Sequence, residues 1–181
     1  MSQMALERLV AELGPAVIET HQHRGDETAL LDRAAVHRAC LWLRDTDGLN
    51  FDLLTDLTAV DYLEQARAYR FEVVYHLYSM KRRHRLRLKT RVQLEDPTVD
   101  TVSDLWKVAN WLEREVWDMY GIRFNGHPDP RRILLYEEFV GHPLRKDYPK
   151  ERRQPLARRP PEEIAAALAG RPGTGRSLLD P

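Results

Sequence analysis

The sequence predicts an α+β fold: an antiparallel or mixed sheet with helices packed on one face, followed by an extended C-terminal tail. Three observations carry that prediction. Phe71, Val73, Tyr75 and Leu77 alternate with Glu72, Val74, His76 and Tyr78, and Leu86, Leu88, Thr90 and Val92 alternate with Arg85, Arg87, Lys89 and Arg91. A period of two over both runs, with Lys81-Arg82-Arg83 between them, marks a long hairpin with one half-buried face. From Val102 the apolar residues Val102, Leu105, Val108, Ala109, Leu112, Val116 and Met119 recur at three-and-four spacing, which predicts a helix with one buried stripe. After residue 149, Pro155, Pro160, Pro161, Pro172 and Pro181 interrupt any long element. Residues 1–149 therefore read as one domain and residues 150–181 as a Pro- and Arg-rich tail.

Taken in order, residues 3–13 form a short amphipathic helix through Met4, Leu6, Leu9, Val10 and Leu13, ended by Gly14-Pro15. Val17 and Ile18 open a short strand, Gly25-Asp26 marks a turn, and Ala29, Leu30 and Leu31 give a second strand. Asp32 caps a helix over 33–45, which Asp47-Gly48 ends. Residues 51–62 predict a strand with a bend. Thr101 and Asp104 form an approximate capping box for the helix that follows the hairpin, and Gly121 suits its left-handed C-terminal cap. Trp106, Trp111 and Trp117, spread around that helix, predict cover on more than one side. In the tail, Pro161 to Ala169 suits one short helix with Glu162 and Glu163 in its first turn.

Composition excludes several functions. Lys plus Arg and Asp plus Glu both number 28, so no whole-chain attraction to nucleic acid or lipid follows. One cysteine, Cys40, gives no internal disulfide and cannot hold an iron–sulfur cluster or a cysteine-based zinc site. No apolar run reaches the ~20 residues of a membrane span. The first residues lack the basic, apolar, small-residue order of a signal peptide. His21, His23 and His37 read as surface histidines, and Asp52, Asp56 and Asp61 as solvated strand faces and turns. No catalytic, cofactor-binding or metal-binding residue is expected. The cationic strand from Arg85 to Arg91 has three readings: a phosphate-tracking face, an edge strand whose charges discourage aggregation, or a surface for an acidic partner. Zero net charge and the absence of aromatic stacking on that face favour the last two.

The most specific stretch is 113–149. It leaves a helix at Gly121 and passes two turns, Gly126-His127-Pro128 and Gly141-His142-Pro143, with Ile133, Leu134 and Leu135 packed between them. Arg131, Arg132, Arg145 and Lys146 stand beside Asp129 and Asp147. Guanidinium forks suit carboxylates, on this chain or on a partner.

Glu113-Arg114-Glu115, Asp118-Met119-Tyr120-Gly121-Ile122, Phe124, Gly126-His127-Pro128-Asp129, Arg131-Arg132-Ile133-Leu134 and Gly141 through Pro149 together resemble the 30 kDa (C) subunit of respiratory complex I, the proton-pumping NADH–quinone oxidoreductase. The tight part of the match covers about a fifth of the chain, and the earlier residues agree in element order and length. Tyr136 to Val140 stands where the family pattern is richer in glycine. The resemblance implies a scaffold subunit without a redox cofactor, on the cytoplasmic side of a bacterial cell membrane and peripheral to it. Its partners would be the forty-nine-kilodalton-type subunit near the quinone end and a cluster-bearing neighbour, with FMN and the iron–sulfur clusters held in partner subunits. It implies no nucleic-acid partner. The docking residues it singles out are Glu113, Arg114, Glu115, Asp118, His127, Asp129, Arg131, Arg132, His142, Arg145, Lys146 and Asp147. The alternative is the equivalent subunit of a membrane-bound hydrogenase or another donor–quinone complex.

Overall fold

Residues 2–65, 67–152 and 154 are described by the computed structural model. The elements are α1 (Ser2–Leu13), β1 (Val17–His23), β2 (Asp26–Leu31), α2 (Val36–Asp45), β3 (Leu53–Asp61), β4 (Phe71–Ser79), β5 (His84–Val92), β6 (Thr98–Asp100), α3 (Ala109–Tyr120) and β7 (Arg123–Asn125). Five strands form one sheet in the order β1-β2-β5-β4-β3. Its neighbours are antiparallel except β2 and β5, which run parallel, so the sheet is mixed.

Alternation decides which face is buried. Phe71, Val73, Tyr75 and Leu77 of β4 lie beside Val92, Thr90, Leu88 and Leu86 of β5 on the core side. Ala29 and Leu31 of β2 extend that face. Ala5 and Leu9 of α1, Val36, Ala39, Cys40 and Leu43 of α2, and Ala109 and Val116 of α3 close over it in the same buried cluster. Each large apolar side chain so buried contributes ~1.5–3 kcal/mol of transfer free energy. The β1–β2 turn places Arg24 and Gly25 at positive φ, the backbone of a tight two-residue hairpin.

The other face carries the cations. Strand β5 is interior, so the edge-strand reading of Arg85 to Arg91 is corrected. Its long side chains meet acids on three other strands: Arg87 with Asp26 at 3.2 Å, Lys89 with Glu72 at 3.2 Å and Arg91 with Glu19 at 3.4 Å. Strand β1 runs the full seven residues to His23, beyond the short strand expected.

The helix expected from Val102 starts at Ala109. Residues 101–108 form turns instead, with Leu105 and Trp106 N–H both donating to the Val102 carbonyl. The Thr101/Asp104 capping box does not form. Thr101 Oγ1 serves Ser103 and Glu113, and Asp104 pairs with His37 at 2.9 Å. Turns at this spacing still bury Val102 and Trp106, so the apolar pattern alone did not separate the two structures. Helix α3 is covered on more than one side, by the core at Ala109 and Val116 and by the 131–135 stretch at Arg114 and Asp118, but Trp111 is 59% exposed and takes no part in that cover. The expected tail helix over 161–169 lies outside the described residues.

Candidate functional site

Helix α3 ends with carbonyls that have no partner inside the helix, as any helix must. Here the chain itself returns to meet them. Gly121 N–H donates to the Trp117 carbonyl at 2.8 Å, closing the helix with φ at +75°. His142 Nδ1 donates to the Asp118 carbonyl at 3.0 Å, Leu144 N–H donates to Met119 at 3.1 Å, and Arg145 Nε donates to Tyr120. The second Gly-His-Pro turn is therefore the C-terminal cap of α3, with an arginine set against the negative end of its dipole. Gly121 is required twice over. A Cβ there would sit 2.5 Å from Arg145 Nη2 and 2.6 Å from the His142 ring, besides the left-handed backbone.

The side chains of α3 hold the stretch between the two turns. Arg114 and Asp118 lie four residues apart, on one side of the helix. Arg114 Nε donates to the Arg131 carbonyl at 2.9 Å, and its Nη2 to the Arg132 carbonyl at 3.0 Å. Asp118, fully buried, receives three successive backbone N–H groups on one oxygen, from Ile133 at 3.1 Å and from Leu134 and Leu135 at 2.9 Å. Its other oxygen receives Arg132. Burial alone would raise the Asp118 carboxyl, but the backbone donors and Arg132 outweigh it and hold it below the usual range. Arg132 also donates to the carbonyls of Phe139 at 3.0 Å and Gly141 at 3.3 Å, which ties the Tyr136 to Val140 turn to the same carboxylate. Leu134 itself is 61% exposed, so only its backbone is packed between the turns.

Two further anchors complete the frame. The buried Glu113 carboxylate accepts from Val102 N–H at 2.7 Å and from the Thr101 hydroxyl, holding β6 and the turn after it to α3. His127 Nε2 donates to the Asn110 carbonyl at 3.0 Å, and its Nδ1 accepts from Asp129 N–H at 3.0 Å, so the proton sits on Nε2. At the far end, Asp61 is buried rather than solvated, which corrects the sequence reading. It accepts from Leu63 N–H at 3.0 Å, Lys146 N–H at 2.9 Å and Arg70 at 3.2 Å. Arg70 reaches on to Asp147 at 2.8 Å. Neither Asp61 nor Arg70 was expected to anchor this stretch; an aspartate at the end of an alternating strand carried no visible sign of its partner.

Most of the charged residues picked from the sequence are thus spent inside the chain: Glu113, Arg114, Asp118, His127, Asp129, Arg132, His142, Arg145 and Asp147 all have intrachain partners. Arg131 pairs with Asp129 at 2.7 Å yet has 72% of its side chain exposed. Glu115 and the Lys146 side chain stay on the surface. Also on the surface are Trp111, Leu134, Val140 and Leu144, exposed by 59%, 61%, 60% and 49%. Among the described residues, no group of three or more His, Cys, Asp or Glu is placed to hold a metal ion, and no helix is long and apolar enough to cross a membrane.

Residues 29–154 match the family described as respiratory-chain NADH dehydrogenase, 30 kDa subunit. The chain belongs to that family. The C subunit of NADH-quinone oxidoreductase from Geobacter sulfurreducens is 47% identical over 145 residues, which cover 80% of this chain and 88% of that one. The subunit of the same name from Acidithiobacillus ferrooxidans is 47% identical over 147 residues, covering 79% and 73%. A trypsin-resistant fragment of Nqo5 superposes with a TM-score of 0.62 at 35% identity, over 70% of this chain and 99% of the fragment. A chain of the membrane-bound sulfane sulfur reductase, an archaeal respiratory membrane complex, superposes at 0.68 over 81% of this chain and 85% of that one. At 24% identity it shares the fold. Within the family fold, the motif that carries the sequence resemblance is the stretch that caps and straps α3.

Proposed function

We propose that this chain is a scaffold subunit, without a redox cofactor of its own, of the peripheral arm of a proton-translocating NADH–quinone oxidoreductase. It docks against the forty-nine-kilodalton-type subunit near the quinone end, on the cytoplasmic side of the membrane, and reaches the membrane only through its partners. FMN and the iron–sulfur clusters belong to those partners. The observation that carries the reading is the division of labour in 113–149. Buried charges fix the strap, and four large apolar side chains are left outward on it and beside it. Ion pairs that are already satisfied within the chain are preorganised, so association does not have to order them. Exposed apolar residues rimmed by charge are the usual composition of a docking surface. The second reading, the equivalent subunit of another donor–quinone assembly, draws on the fold shared with the sulfane sulfur reductase chain; the neighbouring subunits separate the two.

Leu134→Asp tests the surface. Leu134 uses only its backbone within the chain, so the melting temperature of the full-length protein is expected to stay within the spread of surface substitutions. Recovery of partner subunits on the tagged chain is expected to fall by roughly tenfold, the scale of losing one buried apolar contact. Undiminished recovery would remove Leu134 and its neighbours from the interface.

A further inference from the structure

A second feature lies beside the strap and has no intrachain use. A cleft of about 510 Å³ opens between β6–β7, the end of α3 and the 142–145 turn, lined among others by Glu95, Asp96, Trp117, Arg123, His142 and Arg145. Of its three arginines, Arg132 pairs with the buried Asp118, while Arg123 and Arg145 bond to no acid among the described residues. Arg145 spends Nε on the Tyr120 carbonyl, and its two Nη groups bond to no other described residue. Asp61 and Asp147, the acids nearest in charge to it, are both held by Arg70. The Arg123 side chain bonds to no described residue, and neither does His142 Nε2. Burial, with Arg70 nearby, depresses the Arg145 guanidinium, and burial with Arg145 and Arg132 depresses His142. Burial is the larger cause of both shifts, and the neighbouring arginines act in the same direction.

We infer that this cleft receives a single carboxylate side chain from a neighbouring subunit, held by the free Nη groups of Arg145 and by Arg123. The inference rests on the subunit reading above. Three features narrow the ligand. A guanidinium with both Nη groups free presents parallel donors, which a carboxylate accepts in pairs. Glu95 stands on the wall, and Asp96 beside it is engaged by Arg33 at 2.7 Å, so a doubly charged phosphate would meet about twice the repulsion that one carboxylate meets. Leu94 and Leu144, next in sequence to Glu95 and Arg145, are 41% and 49% exposed, which offers apolar contact to a polypeptide beside the charge.

The test uses the assembled complex carrying the full-length chain. Partner subunits retained on the tagged protein are measured across a sodium chloride titration for wild type, Arg123→Lys and Arg123→Glu. Arg123 is exposed on β7 and makes no side-chain bond to a described residue, so folding does not obscure the result. Arg123→Glu is expected to release partners at roughly threefold lower salt, with Arg123→Lys close to wild type, as a charge contact between subunits requires. Release of all three at the same salt would overturn the carboxylate receptor. A wild-type chain that retains no partner even at low salt would instead overturn the subunit reading itself.

Discussion

Asp118→Ala is expected to destabilise the full-length chain by about 3 kcal/mol, within the range for removing one partner of a buried ion pair. Four donors lose their acceptor at once: Arg132 and the backbone N–H groups of Ile133, Leu134 and Leu135. Each buried donor left unmet costs ~1–3 kcal/mol, but the strap is a surface segment and water reaches part of it once it loosens. The damage is therefore local first. Proteolysis between residues 129 and 149 is expected to accelerate before the sheet unfolds, because the strap loses its tether while the core is intact. Asp118→Asn, which keeps one acceptor oxygen and loses the charge, falls between. Urea denaturation checks the size; a loss below about 1 kcal/mol would mean that the carboxylate does not hold the strap. Asp129 serves as the contrast. Its pair with Arg131 holds its carboxyl down to about 2, yet that pair stands in solvent, and Asp129→Ala is expected to leave stability unchanged.

The second large effect depends on pH. Burial pushes the Glu113 carboxyl up to about 7 against the pull of its Thr101 and Val102 hydrogen bonds, from an ordinary value of 4.5. Between those values the folded chain holds a proton that the unfolded chain has released. Stability from this group is therefore full below about pH 4.5, falls as pH rises towards 7, and is flat above. The span corresponds to about 3 kcal/mol at most. Three other groups act with the opposite sign. Asp61 and Asp118 are held below the usual carboxylate range despite burial, so their stabilisation is lost only as pH falls below about 4. His142 is depressed by burial, so folding gains as pH rises through its ordinary value of 6.5. Subtracting the Glu113→Gln profile from wild type isolates the glutamate. The variant is expected to gain relative to wild type from pH 5 to pH 8, and parallel profiles would show that Glu113 stays ionised in the folded chain.

Much of the fold was legible, and the reasons are local. Alternation in Phe71 to Val92 fixed both the hairpin and its buried face, because side chains on a strand have only two directions. Asp32 caps the 3-10 turn Arg33–Ala35, its Oδ1 accepting from Ala34 N–H at 2.9 Å, and α2 itself begins three residues later than expected, at Val36 with no side-chain cap. The position of β5 was not legible, since its neighbours β2 and β4 are chosen by contacts far along the chain. The start of α3 was missed because Thr101 looks like a helix cap, and only the buried Glu113, twelve residues on, shows where its hydroxyl is used. The strands β6 and β7, three residues each, carry too short a pattern to register. For the site, the motif 113–149 stood out as a stretch, but the uses of its charges did not. Arginine beside aspartate is what both a docking surface and an internal strap require, and only the geometry assigns Arg132 to Asp118 and Arg145 to the last carbonyl of a helix.

The proposed role as a bound subunit requires the chain to leave the membrane together with its partners. Purification of the tagged full-length protein from membranes in gentle detergent, with partners read by mass spectrometry and activity by NADH–quinone reduction, tests it most directly. Flavin-bearing, cluster-bearing and quinone-end subunits recovered together with NADH–quinone activity are the predicted result. A chain recovered alone, or with hydrogenase-type partners and no NADH–quinone activity, would contradict it.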